Sequence, residues 1–246
     1  MDIVELIAEC KHRLNADGLS VEMASDMRRA RELILESRLQ EDAGTKPYLT
    51  DFLNPDQFTY TSANCFWIFL RNASGQIAAT VAFRMDTLRN TSLRNLHDEI
   101  LRSKYPEDSA LDIDPRRLPP IANRLTGNIA FAAELWMDRK HAGAQRQNTV
   151  YFAALSLATT MLEWPDLDLV YGFVRKRDAL LGAVQRYGFP HAYPGCLSYS
   201  SPISAPPGDL YFVYAYHDDL VDMILSKSPV PSLKPGETDL RLVHTG

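Results

Sequence analysis

Along this chain apolar residues alternate with polar ones, recur every three or four positions, or run together, and each pattern predicts an element. The opening "MDIVELIAECKHRL" is amphipathic and predicts a helix over residues 1–18, followed by the turn "NADG" and a short alternating strand, "LSVEMA". In "DMRRARELILESRL" the residues Ala30, Leu33, Ile34 and Leu39 approximate a helical stripe, with Ser25 or Asp26 as N-cap. Residues 41–60 are polar, carry Pro47 and Pro55, and read as loop. "CFWIFLRNASGQIAATVAFRMDTL" holds two aromatic and β-branched runs around Asn72, Ser74 and Gly75, which predicts a β-hairpin.

Residues 90–124 form a charged insert with one helix, "SLRNLHDEILRSKY", and a proline-rich exit. An apolar strand follows, "GNIAFAAELWMD", then the basic loop "RKHAGAQR" and the long apolar helix "QNTVYFAALSLATTMLEW". Next come the strand "LDLVYGFV", a basic exit at Arg175, Lys176 and Arg177, and "ALLGAVQRY". That last stretch reads as one helix capped by Asp178 and ended at Gly188, with Leu180, Leu181, Val184 and Tyr187 on one face. "HAYPGCLSYS" and "DLYFVYAYH" read as a final antiparallel pair, and residues 228–246 as a peripheral tail. The order predicts one domain of α+β class: a mixed, mostly antiparallel sheet flanked by helices, with one central βαβ crossover.

Composition narrows the function classes. The 246 residues are 46% hydrophobic and 23% charged, ordinary for a globular chain with its own core. A net charge of −5 argues against general nucleic-acid binding, which needs a basic field. The three cysteines, Cys10, Cys65 and Cys196, are scattered and show no metal-binding spacing, so neither a disulfide framework nor a metal site is expected. The acidic, amphipathic start reads as a helix rather than a signal peptide, and no apolar run approaches the ~20 residues of a membrane span. A cytoplasmic protein without membrane partners is the expectation.

The chemistry concentrates in the basic loop. A helix start presents unpaired N–H groups and a positive dipole end, both favourable to phosphate or carboxylate. Arg139, Lys140, His141 and Arg146 add charge, and Gly143 allows a sharp turn. The competing reading is a solvated loop that caps a buried helix. In the preceding strand Glu134 interrupts an otherwise apolar run; a carboxylate on a buried face has a raised pKa suited to a general base. Strict alternation puts Glu134 on the same face as Ala132 and Trp136, so a surface glutamate is the other reading. His141 and His191 lie near these elements but read as ordinary loop and strand residues, and Cys196 has no paired base.

Strand, "D-x-x-x-x-G" loop, helix, strand, basic exit, helix and the pair Gly188-Phe189 together resemble the core of the GNAT acyltransferase superfamily, over about residues 19–216 and most strongly over 127–190. The resemblance implies a fold with splayed central strands and a loop whose backbone amides hold the pyrophosphate of acetyl-CoA or another acyl-CoA. It carries cofactor contact onto Lys140, Ala142, Gly143, Ala144, Gln145, Arg146, Gln147 and Asn148, and backbone stabilisation of the acyl oxygen onto Leu135 and Met137. The family's loop arginine falls on Ala142 and two of its glycines on Gln145 and Gln147; only Gly143 matches. The family's proton-donating tyrosine falls on Val184; Tyr187 is the nearest tyrosine, read either as that acid or as packing for the helix end. "ILESRLQED" and "WIFLRNASGQIAATVAFRM" are also similar to autoinducer synthases and long-chain N-acyl amino acid synthases, which take acyl groups from carrier protein or acyl-CoA. The expected activity is direct acyl transfer, acetyl above all, to a small-molecule or peptide amine, with Glu134 and Tyr187 as catalytic candidates. The alternatives are a non-catalytic module of the same fold and a synthase fed by acyl carrier protein. Exposed last strands could pair in a homodimer.

Overall fold

The structure, a computed structural model, describes residues 2–39, 53, 55–56, 58–104, 118–196 and 210–226. The tail at 228–246 and most of the loop at 41–60 lie outside them, as do 105–117 of the insert and the end of "HAYPGCLSYS". Seven helices and seven strands are described in the order α1 (Ile3–Ala16), β1 (Ser20–Ala24), α2 (Met27–Leu39), β2 (Cys65–Arg71), β3 (Ile77–Leu88), α3 (Leu93–Lys104), β4 (Gly127–Met137), α4 (Gln147–Glu163), β5 (Leu169–Arg175), α5 (Lys176–Leu180), α6 (Ala183–Arg186), β6 (His191–Cys196), β7 (Leu210–Tyr216) and α7 (His217–Leu225). The strands form one sheet, ordered β1-β2-β3-β4-β5-β7-β6. Only β4 and β5 are parallel, joined by α4. The α+β class and the single crossover are those expected.

Local chemistry accounts for most boundaries. Asp2 and Glu5 close a capping box on α1. Asp26 accepts from Arg29 N at 3.1 Å and starts α2. In the β2–β3 turn the Asn72 side chain accepts from the Ser74 and Gln76 amides. Two helical expectations are corrected. Gly182, at φ 78, breaks "ALLGAVQRY" into α5 and α6, and Asp178 lies inside α5, whose N-cap is Arg175. Leu180 and Leu181 consequently face solvent, 65% and 57% exposed, instead of sharing the buried face of Val184. Helix α7 has no counterpart in the sequence reading; its signals are Asp218 and Asp219 in the first turn and buried Leu220 and Ile224 four apart.

Each sheet face has its own core. Leu6, Cys10 and Leu14 of α1, Phe152, Leu155 and Ala158 of α4, Val184 of α6 and Leu220 of α7 cover one face. Met27, Ala30 and Ile34 of α2 and Leu93 and Ile100 of α3 cover the other. Helix α4 is apolar almost all round because α1 and the sheet enclose it; buried Ser156 and Thr160 return their hydroxyls to the carbonyls of Phe152 and Ser156.

Two irregularities shape the centre of the sheet. Ala82 pairs with Ala133 and Thr80 with Trp136, so β4 carries one residue more than β3 there. The bulge centres on Glu134, whose φ of 56 lies in the left-handed region, and Thr80 Oγ1 donates to its carbonyl at 2.8 Å. A bulge inverts the alternation beyond it. Ala132 therefore packs with the α1–α4 core, whereas Trp136, opposite Thr80, is on the other face. The expectation that Ala132, Glu134 and Trp136 share one face is wrong for this reason.

Second, β4 and β5 pair only from Ile129 with Leu169 to Ala132 with Gly172. Beyond that point β4 stays with β3 as far as Met137, and β5 with β7 as far as Arg175, so a wedge opens between them. At its apex a Cβ on Gly172 would stand 2.8 Å from the Ala132 carbonyl oxygen, so only glycine lets the strands approach this closely.

Candidate functional site

The wedge opens toward the basic loop. Asp138 caps a short turn, Arg139–His141, by accepting from Lys140 N at 3.0 Å. Gly143 then turns at φ 72, and a second turn, Ala144–Arg146, leads into α4. Gln145 (φ 51) and Arg146 (φ 61) are both left-handed although both carry side chains. Such backbone costs about 1–3 kcal/mol per residue and persists where surrounding structure enforces it. Here Arg146 N donates to Gly143 O at 3.1 Å and Asn148 N to Ala142 O at 3.1 Å, while the Gly143 amide makes no hydrogen bond among the described residues. The left-handed conformation falls on Gln145, one of the two positions where the resembled family has glycine. At the other, Gln147 is ordinary helix (φ −58, ψ −38), so its side chain is accommodated without strain.

Cations ring this mouth. Arg139, Lys140, Arg146 and Arg175 are exposed and Arg186 is partly buried; among the described residues none of the five forms an ion pair. Burial first, then the like charge of Arg146, lowers the pKa of Arg186. Uncompensated cations that repel each other beside a helix start are a fitting surround for a polyanion such as a diphosphate. Tyr187 stands among them, packed partly buried against the α1–α4 core. Burial, with Asp178 adding, raises its pKa against the opposing fields of Arg186, Arg146 and Arg175, so the phenol keeps its proton at neutral pH. Val184, at the position of the family's tyrosine, is core.

The other sequence candidates separate. Glu134 marks the bulge at the wedge, and Leu135 and Met137 line the strand beyond it. Among the described residues the pairing of β4 with β5 ends at Ala132, so Leu135 and Met137 lie on the part of β4 that runs without β5. His141 ties the loop to the β2–β3 turn, 3.5 Å from Asn72 Nδ2, and His191 meets Asp219 at 3.1 Å; both are structural. Burial pushes the Cys10 and Cys65 thiols up to about 12, and Cys196 is buried as well, so none is an activated nucleophile. Among the described residues no group of His, Cys, Asp and Glu could hold a metal, and no helix is long and apolar enough to cross a membrane.

On the opposite face lies a polar network that sequence reading missed. Arg84 of β3, 2% exposed, donates from Nη2 and Nε to Asp86 Oδ2 at 2.8 and 3.1 Å and lies 4.4 Å from the Phe58 ring centre. Burial works against its charge, but Asp86, Tyr171 and Tyr60 more than offset this and hold its pKa above the ordinary value. One position before the wedge apex, the Tyr171 hydroxyl meets His97 Nε2 of α3 at 3.2 Å, and Phe131, Phe173 and Phe212 pack around Tyr171. Burial, then Arg84, depresses the His97 pKa from 6.5 to about 3. The unfolded chain therefore binds a proton below pH 6.5 that the native state refuses until about pH 3, and stability drains across that window as pH falls. Between pH 6.5 and 5 the wild type should lose about 2 kcal/mol more than His97→Phe does, read from urea midpoints at both pH values.

No protein-family model and no curated protein sequence matches the chain. Among solved structures it is similar to FeeM, an N-acyl amino acid synthase from uncultured soil microbes, at 13% identity and a TM-score of 0.46, over 82% of this chain and 92% of that one. It is similar to spermidine N-acetyltransferase from Vibrio cholerae in complex with CoA and spermine, at 12% identity and a TM-score of 0.43, over 83% and 98% of the two chains. An acetyltransferase of the GNAT family from Streptococcus pneumoniae is similar at 14% identity and a TM-score of 0.43, over 80% and 98%.

Proposed function

We propose that this chain is an N-acyltransferase that binds acyl-CoA with its diphosphate at the turn before α4 and its thioester in the wedge between β4 and β5. The observation that carries the reading is the coincidence of the two features. The strands part at Ala132 and Gly172, and the opening faces a left-handed, cation-ringed turn at a helix start. Bound there, acyl-CoA supplies an activated acyl group. Backbone N–H groups of the Leu135 and Met137 segment donate to the acyl oxygen as negative charge develops on it. Glu134, at the bulge, takes the proton that the attacking amine loses as the C–N bond forms. Tyr187, which keeps its proton at neutral pH, is the candidate to return one to the thiolate released when the C–S bond breaks. Positioning both reactants in one wedge supplies most of the acceleration, so no covalent enzyme intermediate is required.

Calorimetry and thermal shift with CoA, acetyl-CoA and a long-chain acyl-CoA test the donor site, and release of free thiol with an amine panel tests the transfer. Binding of acetyl-CoA with amine-dependent thiol release is expected. Binding without turnover would leave a non-catalytic module, for which Val184 in place of a tyrosine is the supporting feature. No binding by any donor would remove the reading. A synthase fed by carrier protein is favoured by exposed Leu180 and Leu181 beside Arg175, Lys176 and Arg177, an apolar spot within a basic rim. A response confined to long acyl chains would select it.

A further inference from the structure

Helix α1 precedes the part of the chain that carries the family resemblance, yet its end reaches the turn at the mouth of α4. Asn148, the second residue of α4, is 4% exposed and spends its side-chain amide there. Its Nδ2 donates to Asp17 Oδ2 at 2.8 Å and to the His141 carbonyl at 2.9 Å, which uses both hydrogens. The same side chain lies under Gly143, where an added Cβ would come within 3.0 Å of its Cγ and Nδ2. Asn148 N also holds the Ala142 carbonyl at 3.1 Å. One residue thus grips the turn at His141, at Ala142 and beneath Gly143, and anchors it to α1.

Asp17 is the C-cap of α1, the end of a helix where a carboxylate is disfavoured by the dipole. It faces instead the start of α4, where negative charge is favoured. Among the described residues it reaches only the Asn148 side chain, and it takes none of the backbone amides of the mouth. The α1 frame behind it is firm: the capping box fixes its start, and buried Leu6, Cys10 and Leu14 pack it into the core with α4.

From this geometry we infer that Asp17 and Asn148 are positioning residues for the donor turn: α1 holds Gly143, Gln145 and Arg146 in their left-handed conformation through the Asn148 amide. The inference rests on the donor-binding reading above and adds to it a strut outside the loop. The diphosphate should feel the strut and the pantetheine arm, which lies in the wedge, should not.

The test is calorimetry on wild type, Asn148→Ala, Asp17→Ala and Asp17→Asn, with CoA and with acetyl-pantetheine, which lacks the nucleotide diphosphate. Asn148→Ala and Asp17→Ala are expected to weaken CoA roughly tenfold and leave acetyl-pantetheine within about twofold of wild type. Asp17→Asn still offers an oxygen to Asn148 Nδ2 and removes a negative charge from the mouth, so it should bind CoA at least as tightly as wild type. Equal losses for both ligands, no loss for either, or Asp17→Asn as damaging as Asp17→Ala would overturn the inference. Amide hydrogen exchange of residues 141–148 in the ligand-free protein reads the strut without any ligand. It should accelerate in Asn148→Ala and Asp17→Ala and stay unchanged in Asp17→Asn, and unchanged exchange in all three would also overturn it. Failure of wild type to bind CoA would instead sink the donor site itself, a result visible before any variant is made.

Discussion

Arg146→Glu is expected to lower the affinity for CoA by roughly one to two orders of magnitude, measured by calorimetry at low ionic strength. The substitution removes one cation from the mouth of α4 and puts an anion beside the amides that would receive a diphosphate. Arg146 forms no ion pair among the described residues, so its loss leaves no carboxylate stranded, and the change reports the ligand rather than a broken bridge. Arg186 already feels Arg146 as a like charge, and the new carboxylate would pair with it and draw a second cation away from the ligand. Arg146→Gln should fall between, because it removes the charge without reversing it. The gap between Glu and Gln should shrink in about 0.5 M salt, where screening shortens the reach of exposed charges. Unchanged affinity for Arg146→Glu would take the residue out of the site.

The largest stability effect is expected on the opposite face. Asp86→Ala takes the Asp86 carboxylate away from the buried guanidinium of Arg84, and breaking a buried pair from one side costs about 3–5 kcal/mol. For a chain of this length that corresponds to a fall in Tm of roughly 10 °C by calorimetric scan. The Phe58 ring, 4.4 Å from the guanidinium, offsets little of this. The double variant Arg84→Met, Asp86→Leu removes both charges together and should recover most of the loss, since apolar replacement of a whole buried pair is often neutral or better. A double variant as unstable as Asp86→Ala would mean that the pair contributes through geometry rather than charge.

The two effects differ in how far the sequence announces them. The basic loop is legible because a helix start, a glycine and a run of cations are neighbours in the chain, and the structure keeps them together at one mouth. The hairpin is legible for the same reason: Asn72 closes its turn with bonds to residues two and four positions away. Arg84 is different. Asp86 is two positions along the same strand, but the rest of its surround comes from the loop before β2, from β5 and from α3, and only folding brings Phe58, Tyr171 and His97 around it. In sequence it is one arginine in an apolar strand.

Glu134 marks the boundary between the two kinds of information. Its place in strand β4 follows from the apolar run around it, but its face does not. The face depends on a bulge, which arises where β4 must stay paired with β3 while β5 departs. Gly182 illustrates the same limit from the helical side: a continuous apolar stripe suggested one helix, and a left-handed glycine divides it, turning Leu180 and Leu181 outward.

What the amino-acid sequence determined by itself is the list of elements apart from α7 and the break between α5 and α6, the β2–β3 turn, the Asp26 cap of α2, the α+β class and the charge at the start of α4. These follow from periodicity and from hydrogen bonds that close within a few residues. What only the tertiary structure decided is the wedge between β4 and β5, the inverted alternation beyond Glu134, the Asp17–Asn148 strut and the polar network around Arg84. Each of these joins groups tens of residues apart, where the outcome rests on which strand or helix competes for the same backbone and side-chain partners, and no local pattern encodes that competition.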